Sequence, residues 1–407
     1  MYNIRIVTHL MKKTCILLLL TFIIYDCPTV CAAVDRQAEC DSLVSKALDC
    51  TRHGKFSESN SIFQTILDSF RMSAPSKRSI YGCMGENARL NGDYADYYRY
   101  LKRQDTGRKS SSIRQFYKTL ARLPEESVSR PEKDVTVGYS LDSLYYEGEF
   151  RGCELRVPGR ISGKEEMFIL DNGCAYFSMA SESFAKEHHI RPIKAEMNAI
   201  GTVASAPSRI GLADSLVIGS MTFKNILFII IPDIYLQNPV TKLDAALGTN
   251  IFRLAGRMTF DNKEKTVTFQ AHDEAPAPNL TISGDGRHLA DVAVGGDTLE
   301  FQLDLGASKT SLSSRYYALH KDSLHETGIN DTIYKGGIGG MAEAQIYRIE
   351  NVAISASGGT YISPEVLVFT EKGSGEGDEY GTLGLDFLLS FGSAELDIRK
   401  MYLKVEP

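Results

Sequence analysis

The sequence predicts a mainly β protein of two lobes that follow an N-terminal all-α domain. Up to about residue 122, apolar residues recur at the spacing that is typical of amphipathic helices. After a polar segment at residues 124–134, short runs rich in Val, Ile, Phe and Tyr alternate with Gly, Asp and Asn, which is typical of strands and turns. The β-rich part also repeats itself, and this repetition indicates a duplicated lobe.

Three segments of the β-rich part recur in the same order and at nearly the same spacing. The pairs are Met167–Ala175 with Glu300–Ser308, Ala246–Phe252 with Thr382–Leu388, and Arg257–Asp261 with Ser393–Asp397. Such agreement is hard to obtain by chance. We therefore predict a first lobe at residues 135–274 and a second lobe at residues 279–407, joined across a Pro-rich boundary and preceded by a linker at residues 124–134.

The first 33 residues have the composition of a secretory signal peptide. Lys12 and Lys13 precede the apolar run Cys15–Ile24, and the small residues Ala32 and Ala33 follow. This order of basic, apolar and small residues is typical of a cleaved export signal at residues 1–33. The apolar run is short for a membrane span, so we predict no stable membrane insertion. The mature chain is expected to be exported, either periplasmic or secreted.

Residues 34–123 are predicted to form the helical domain, which contains two related units. The turn at Gly54 leads to Phe56 and the turn at Gly92 leads to Tyr94, and each turn precedes a helix with spaced aromatic residues. Glycine is suited to ending a helix, and the two glycines are spaced like a helix-turn-helix repeat. The pattern resembles tetratricopeptide repeats. Two degenerate units cannot form a long groove, so a docking domain for a protein partner and a plain helical cap both remain open.

The charge of the chain argues against one class of partner. The formal net charge is −6, and no basic cluster occurs beyond the N-terminus. Proteins that bind nucleic acid usually present a basic face, so we predict no nucleic-acid partner.

Five cysteines lie beyond the predicted signal peptide, at positions 40, 50, 83, 153 and 174. A Cys50–Cys83 disulfide and a set of buried reduced thiols are both compatible with this odd number. The sequence contains neither Cys-x-x-Cys nor His-Glu-x-x-His, and His188 and His189 are expected on a solvated face. We therefore predict no metal and no cofactor.

The strongest chemical signal is a pair of Asp-x-Gly motifs. Asp171–Gly173 and Asp304–Gly306 each end an apolar run, and each has its own closing glycine further along the chain at similar spacing, Gly248 after Ala246-Leu247 and Gly384 after Thr382-Leu383. One such motif alone is more often an ordinary turn. Two of them, one in each repeat, predict a site that the lobes share. Over about residues 135–407, this pattern resembles the retropepsin-like and pepsin-like aspartic peptidases.

The resemblance implies an acid-protease-like double barrel with a cleft between the lobes. It also implies that Asp171 and Asp304 are the catalytic pair of an endopeptidase, with Gly173 and Gly306 in the tight loops beside them. Two carboxylates held close share one proton, so one can activate a water while the other polarises the peptide carbonyl. The expected partner is a peptide or protein substrate.

Several positions depart from the family pattern. The family has Thr or Ser after each aspartate, with a hydroxyl that bonds to the opposite loop, whereas this chain has Asn172 and Leu305. An amide can still form hydrogen bonds, but a leucine side chain cannot. Pepsin-like members also carry Ser or Thr where Cys174 stands, and we expect small core filler there. Ser308 is a candidate to support the second aspartate.

These departures leave two other functions open. A degenerate peptidase fold could bind peptides without cutting them, because a loosened loop lowers catalysis while leaving the fold intact. The second alternative is an adaptor in which the helical domain recruits a partner, and the brevity of that domain weakens it.

Glycine-rich segments predict two flaps over the cleft. A hairpin closes over the substrate in the family, and the matching places here are Gly201 and Thr202 in the first lobe and Gly337, Gly339 and Gly340 in the second. A glycine-rich tip suits a mobile lid over an extended peptide. The second segment is also compatible with a plain flexible loop.

Overall fold

A computed structural model describes residues 30–104, 111–147, 149–237, 242–271 and 276–407. The predicted signal peptide lies outside these residues, except for its last few, which open the first helix. Within the described ranges, no helix is both long and apolar enough to cross a membrane. The chain forms two compact units: the helices up to Leu123 with Ile282–Gly286, and Pro124–Thr281 with Arg287–Pro407.

The first unit is built from helices. They are α1 (Val30–Arg52), α2 (Phe56–Ser69), α3 (Ala74–Leu90), α4 (Tyr94–Gln104) and α5 (Ser111–Leu120). Gly54 and Gly92 have φ values of 71° and 77°, a conformation that suits glycine after a helix. Ser73 caps α3 by accepting the Ser76 N–H at 3.3 Å. The relation of these helices to tetratricopeptide repeats stays a prediction.

The core of the helical unit is apolar, and its thiols are reduced. Phe63, Ile66 and Ile80 are fully buried in it. Cys40, Cys50, Cys83, Cys153 and Cys174 are all free thiols, so the Cys50–Cys83 pairing is wrong. The Cys50 thiol hydrogen-bonds the Glu58 carboxylate on α2, so it is directed toward α2 and not toward Cys83.

The second unit is mainly β. The strands of its first lobe are β1 (Ser127–Ser129), β2 (Val135–Gly138), β3 (Ser140–Tyr146), β4 (Glu149–Ile161), β5 (Lys164–Leu170), β6 (Ser178–Ser181), β7 (Arg191–Ile200), β8 (Ser205–Ile218), β9 (Met221–Ile231), β10 (Ala245–Leu247), β11 (Met258–Asp261) and β12 (Thr266–Phe269). Those of its second lobe are β13 (Leu280–Ile282), β14 (His288–Val294), β15 (Asp297–Leu303), β16 (Ser311–Leu312), β17 (Ile329–Gly337), β18 (Gly340–Ala356), β19 (Gly359–Phe369), β20 (Gly381–Leu383), β21 (Ser393–Asp397) and β22 (Tyr402–Glu406). The helices are α6 (Glu182–Glu187), α7 (Thr249–Ala255), α8 (Ser314–Thr327) and α9 (Leu385–Leu389).

Each lobe has its own sheet, and a third sheet joins the lobes. The first-lobe order is β1-β9-β6-β10-β5-β4-β8-β7, with β3 on β4 and a further pairing of β8 with β9. The second-lobe order is β13-β14-β15-β20-β16-β19-β18-β17, with a further pairing of β14 with β18. The third sheet is β2-β12-β11-β21-β22, in which β11 and β21 pair antiparallel. These strand pairings do not by themselves establish a double barrel, which stays a prediction.

The polar segment at residues 124–134 contributes to the first lobe. Ser127–Ser129 form β1, which pairs with β9. The Glu126 side chain is buried and accepts the Leu227 N–H at 2.9 Å and Asn250 Nδ2 at 2.7 Å. A buried carboxylate with such donors anchors the segment, although its composition is that of a linker.

The repeated sequences occupy matching places in the two lobes. Strands β5 and β15 lead to the two aspartates, and they pair parallel with β10 and β20 respectively. After β10 and β20 the chain passes through Gly248 and Gly384 into α7 and α9. A Cβ on Gly248 would collide with the Phe177 carbonyl, and one on Gly384 would lie 2.7 Å from the Lys309 carbonyl oxygen. Only glycine fits at either closing position.

Candidate active site

Asp171 and Asp304 stand at the ends of matching strands. The Asp171 N–H donates to the Leu247 carbonyl and the Asp304 N–H donates to the Leu383 carbonyl, both at 3.0 Å. The residues directly before the aspartates belong to the buried core, so packing fixes the point at which each chain emerges. Because the lobe is duplicated, the two carboxylates lie in equivalent positions at the ends of β5 and β15.

The structure brings the two carboxylates together across the lobes. The side chains of Asp171 and Asp304 lie within hydrogen-bonding reach of each other. A Cβ added to Gly173 would lie 2.5 Å from each carboxylate oxygen of Asp304, and one added to Gly306 would lie 2.5 Å from Asp171 Oδ1. Real Cβ atoms do not approach other atoms so closely. Each loop therefore needs its glycine so that the carboxylate of the other lobe can approach.

Burial and mutual repulsion control the protonation of the pair. Burial first, and the Asp171 charge second, raise the pKa of Asp304 to about 7. The N–H groups of Gly306 and Ala307 act in the opposite direction, and the Gly306 N–H donates to Asp304 Oδ1 at 2.9 Å. Two carboxylates this close titrate as one coupled unit, so the pair holds a single proton at mildly acidic pH.

Asn172 makes two hydrogen bonds to the second lobe. Its Nδ2 donates to the Leu303 carbonyl at 2.7 Å, and its Oδ1 accepts the Leu305 N–H at 2.8 Å. The side chain is only 1% exposed, and both of its polar atoms serve the backbone on either side of Asp304. Asn172 therefore keeps cross-lobe bonding without a hydroxyl, whereas the Leu305 side chain is apolar and buried.

Cys174 packs against an apolar core cluster, as expected of small filler, and it also supports Asp171. Its Sγ donates to Asp171 Oδ2 at 3.0 Å, and its N–H donates to Oδ1 at 3.1 Å. Burial, followed by the Asp171 charge, raises the pKa of the Cys174 thiol well above its usual range. Because the thiolate is the reactive form, this thiol stays a hydrogen-bond donor and a poor nucleophile.

The Gln302 side chain hydrogen-bonds the Asp304 carboxylate, which is the role expected of Ser308. The Gln302 Nε2 donates to Asp304 Oδ2 at 3.1 Å. Ser308 instead donates to the Arg151 carbonyl on β4 at 3.5 Å, so it does not take that role. A sequence signal for Gln302 exists, because side chains two residues apart on a strand share a face.

Two charged side chains fix the orientation of the Gln302 amide. Arg287 Nη1 donates to Gln302 Oε1 at 3.3 Å and to Glu379 Oε2 at 2.9 Å, and both charged residues are buried. Because a cation holds the amide oxygen, the NH₂ group faces Asp304. The first lobe has apolar Ile169 at the matching position, so the two carboxylates have different surroundings.

The predicted flap residues lie at the tips of two hairpins. Gly201 and Thr202 connect β7 to β8 in the first lobe. Gly337, Gly339 and Gly340 lie where β17 turns into β18, and all three have positive φ. The structure therefore places every predicted flap residue at a hairpin tip.

Ile338 joins the two tips, and the sequence analysis assigns it no role. Its carbonyl accepts the N–H groups of Val203 at 3.2 Å and Ala204 at 3.3 Å. The adjacent Gly339 N–H donates to the Tyr235 carbonyl at 2.8 Å, and a Cβ on Gly201 would collide with Ile338. The sequence signal is that Ile338 is the one non-glycine residue within Gly336–Gly340.

One cluster of side chains has the composition of a metal site. The candidate ligand atoms of Glu166, Glu187 and His188 all lie within 4.8 Å of one another. His188 is buried, contrary to the expected solvated position, and its Nε2 lies 3.2 Å from Glu166 Oε1. Lys164 Nζ lies 2.8 Å from Glu187 Oε1. Lys164 pairs with Glu187, and Glu166 Oε1 lies beside the His188 ring, so the two carboxylates of this cluster already have neighbours within it.

Part of the first lobe is similar to a known family. Residues 157–251 match the family described as aspartyl protease. This segment contains Asp171, Asn172, Gly173, the first hairpin tip and Gly248. Among curated proteins, no relative matches the chain.

Two solved structures resemble the chain at low identity. A retropepsin-like aspartic protease from Rickettsia conorii is 12% identical, with 36% of this chain and 91% of that chain covered and a TM-score of 0.21. The structure described as edgp is 9% identical, with 68% of this chain and 95% of that chain covered and a TM-score of 0.35. Because both TM-scores are low, neither of these two likenesses carries an argument about the chain.

Proposed function

We propose that the protein is an aspartic endopeptidase in which Asp171 and Asp304 activate a water for peptide-bond hydrolysis. The observation that carries this proposal is the reciprocal packing of Gly173 against Asp304 and of Gly306 against Asp171. Two ordinary strand-end turns would not need glycine to accommodate a carboxylate of the other lobe. The family match over the first lobe supports the same class of reaction.

Asp304 is the proposed carrier of the shared proton, because burial raises its pKa to about 7. The N–H and the thiol of Cys174 both donate to Asp171 and stabilise its negative charge. Ionised Asp171 takes a proton from a water between the carboxylates, and the water oxygen attacks the peptide carbonyl carbon. Asp304 donates its proton to the carbonyl oxygen in the same step.

The tetrahedral intermediate collapses through a second pair of proton transfers. Asp171 gives its new proton to the amide nitrogen, and the carbon–nitrogen bond breaks. Asp304 takes a proton back from the hydroxyl that becomes the carbonyl of the new carboxylic acid. The pair returns to its starting protonation state, and the products are a carboxylic acid and an amine.

A protein that binds peptides without cutting them is the alternative, and Leu305 is its remaining support. Leu305 cannot supply the hydroxyl that the family has at its position. Asn172 nevertheless bonds to the backbone on both sides of Asp304. Because both carboxylates are present and face each other, cleavage is the better supported function.

Peptide digestion tests the proposal. The full chain is incubated with a mixed peptide library from acidic to neutral pH, and mass spectrometry identifies the products. Asp171→Asn and Asp304→Asn are each expected to abolish cleavage while keeping the fold. Asp291→Asn changes an exposed residue on β14 and is expected to cut normally. Cleavage that survives both dyad substitutions removes the proposal, and binding without cleavage by the unchanged protein supports the alternative.

We also propose that the protein is exported, on the basis of residues 1–33. A mature N-terminus near Val34, found by sequencing protein from its native host, would support export. Intact Met1 or Met11 in the cytoplasm would contradict it. The helical unit, with its tetratricopeptide-like pattern, is a candidate surface for a protein partner.

A further inference from the structure

Two carboxylates and an imidazole meet in the first lobe, between the start of β5 and the end of α6. This β5–α6 cluster consists of Glu166 on β5, Glu187 at the last position of α6 and His188 directly after it. One candidate ligand atom of each residue lies within 4.8 Å of the other two. Glu166 lies near the beginning of β5 and Asp171 follows its end, so the cluster is separate from the dyad.

His188 is buried, and its ring nitrogens are not hydrogen-bonded. The side chain is 0% exposed, yet among the residues that the structure describes neither Nδ1 nor Nε2 has a hydrogen-bond partner. The Nε2 atom lies 3.2 Å from Glu166 Oε1 but does not form a hydrogen bond with it. A buried polar group without a partner is costly, and an ion or a water that belongs at the site usually explains it.

Packing keeps this imidazole in the cluster. Its ring lies 4.2 Å from the ring of Phe184, and the His188 N–H donates to the Phe184 carbonyl at 3.0 Å. The next residue, His189, has a φ of 54°, a left-handed conformation in which α6 cannot continue. The ring therefore stays beside Glu166 instead of turning toward solvent.

We propose that the β5–α6 cluster binds one divalent cation of the zinc class, with Glu166, Glu187 and His188 Nε2 as its protein ligands. Zinc lies about 2.1 Å from nitrogen and oxygen ligands, so the ligand atoms of a tetrahedral site lie about 3.4 Å from one another. The 3.2 Å between Glu166 Oε1 and His188 Nε2 is close to that separation. The Glu187 side chain is 56% exposed and can rotate toward the same ion, and a water completes the tetrahedron.

The chemistry of the donors selects the class of metal. An imidazole nitrogen together with carboxylate oxygens suits zinc and related transition metals, whereas Mg²⁺ and Ca²⁺ prefer oxygen ligands alone. Two ionised carboxylates and a neutral imidazole carry two negative charges, which one dication balances. The ligands come from two separate elements, so no contiguous metal-binding motif marks the site in the sequence.

Lys164 is the side chain that competes with the cation. Its Nζ lies 2.8 Å from Glu187 Oε1, and this contact lowers the pKa of Glu187. Both side chains of the pair are more than half exposed, and an exposed ion pair stabilises a protein little. The other lysine near these carboxylates, Lys242, pairs with Asp244 at 2.5 Å. A dication can therefore replace Lys164 beside Glu187 at small cost.

Zinc titration of the full chain, without a polyhistidine tag, tests the proposal. After the protein is stripped with EDTA and the chelator is removed, calorimetric titration with ZnCl₂ is expected to show one bound ion per chain. Glu166→Gln and Glu187→Gln are each expected to raise the Kd for Zn²⁺ by about a hundredfold, because even the loss of a group behind a ligand costs about 10- to 100-fold. Glu165→Gln and His189→Gln, at exposed neighbouring positions, are the matched controls and are expected to leave the Kd unchanged.

Two further measurements separate a bound ion from a plain contact between His188 and Glu166. Lys164→Met removes the competing ammonium and is expected to lower the Kd for Zn²⁺ by about threefold. At a zinc concentration of about 100 times the Kd, the Tm of the unchanged protein is expected to rise by about 5 °C, because the ion binds only the folded state. Under the same conditions the Tm of Glu187→Gln is expected to stay constant.

The inference is overturned if Zn²⁺ does not bind, or if the glutamine variants of the ligands bind it as tightly as the two controls do. A Tm that does not respond to saturating zinc also overturns it, and a tighter affinity for Ca²⁺ than for Zn²⁺ overturns the choice of metal. Because Glu187 is exposed, Glu187→Gln keeps its fold and decides the question without a change to the buried ring. None of these measurements uses cleavage, so their outcome is independent of the peptidase proposal.

Discussion

The Oδ1 atom of Asn172 accepts the backbone N–H of Leu305 at 2.8 Å, so the residue after one aspartate holds the residue after the other. The same amide donates to the Leu303 carbonyl at 2.7 Å. Both bonds are buried and lie on either side of Asp304. One asparagine thus ties the second-lobe loop to the first lobe and sets how the two carboxylates face each other.

Asn172→Leu tests this tie. Leucine has a similar shape but no polar atoms, so a buried N–H and a buried carbonyl lose their partners. We expect the free energy of unfolding to fall by about 2–4 kcal/mol and cleavage to fall by about a hundredfold. Denaturant titration and steady-state kinetics measure the two effects. The tie is contradicted if the losses are no larger than those of Asn330→Leu, which changes an exposed residue on β17.

Asn172→Thr addresses the departure from the family pattern. From the sequence alone, threonine is expected to restore a missing hydroxyl and raise the rate. In the structure this gain is not needed, because the Asn172 side chain already hydrogen-bonds the backbone of Leu303 and of Leu305 in the other lobe. We therefore expect no gain in kcat from Asn172→Thr, and an increase of about tenfold or more would show that the amide limits catalysis.

Gln302→Leu tests the support of Asp304. The Gln302 amide donates to the Asp304 carboxylate, and a donor to a carboxylate stabilises its ionised form. Its removal is expected to raise the pKa of the dyad, move the pH–rate profile to higher pH and lower kcat by about tenfold. A purely structural role would lower Tm without moving the profile. Gln345→Leu, at an exposed position on β18, is expected to leave the profile unchanged.

Cys174→Ser and Cys174→Ala test the thiol as a donor to Asp171. Serine keeps a donor and is expected to retain kcat within about threefold, whereas alanine is expected to lower kcat by about tenfold or more. Cys153→Ala is the control at a half-buried cysteine. Because burial raises the pKa of the Cys174 thiol, alkylation by iodoacetamide at pH 7.5 is expected to be slow. Equal rates for the serine and alanine variants would contradict the donor role.

The pH dependence of stability tests the raised pKa of Asp304. An unfolded aspartate has a pKa of about 4, whereas the folded protein raises the pKa of Asp304 to about 7. The folded state binds the proton more tightly, so this group's contribution is fully present below about pH 4 and is lost as pH rises through about 7. Asp304→Asn is therefore expected to stabilise the protein by about 1–2 kcal/mol at pH 8 and by almost nothing at pH 4.

Unfolding measured at both pH values, with Asp291→Asn as the control, decides this point. A stabilisation by Asp304→Asn that is equal at pH 4 and pH 8 would mean that the ionisation of Asp304 costs the fold nothing.

The pairing of Asp171 with Asp304 follows from the sequence because the motif is duplicated together with its strands. Apolar residues before each aspartate mark a buried strand, and the closing glycines mark the neighbouring parallel strand. The groups that support the carboxylates do not follow in this way. The Gln302 amide and the Cys174 thiol act through side-chain directions, and only the folded structure fixes those directions.

Burial of polar residues is the other feature that the sequence does not reveal. Glu126 lies in a segment with the composition of a linker, yet Asn250 and the Leu227 N–H provide the hydrogen bonds that permit its burial. His188 packs its ring 4.2 Å from that of Phe184 instead of facing solvent. The partners of Glu126 lie 101 and 124 residues away in the sequence, so the composition of its own segment favours exposure.

The antiparallel pairing of β11 with β21 makes the two lobes resemble the subunits of an obligate heterodimer. A chain cut between the lobes would give two fragments, each with one carboxylate and one open strand edge, β11 on the first and β21 on the second. Open edges of this kind recruit strands from other chains, and here the complementary edge belongs to the other fragment. Reassembly of the two fragments would rebuild the carboxylate pair. Any activity of the split protein would therefore depend on the concentration of the fragments, and the two lobes would report on their own association.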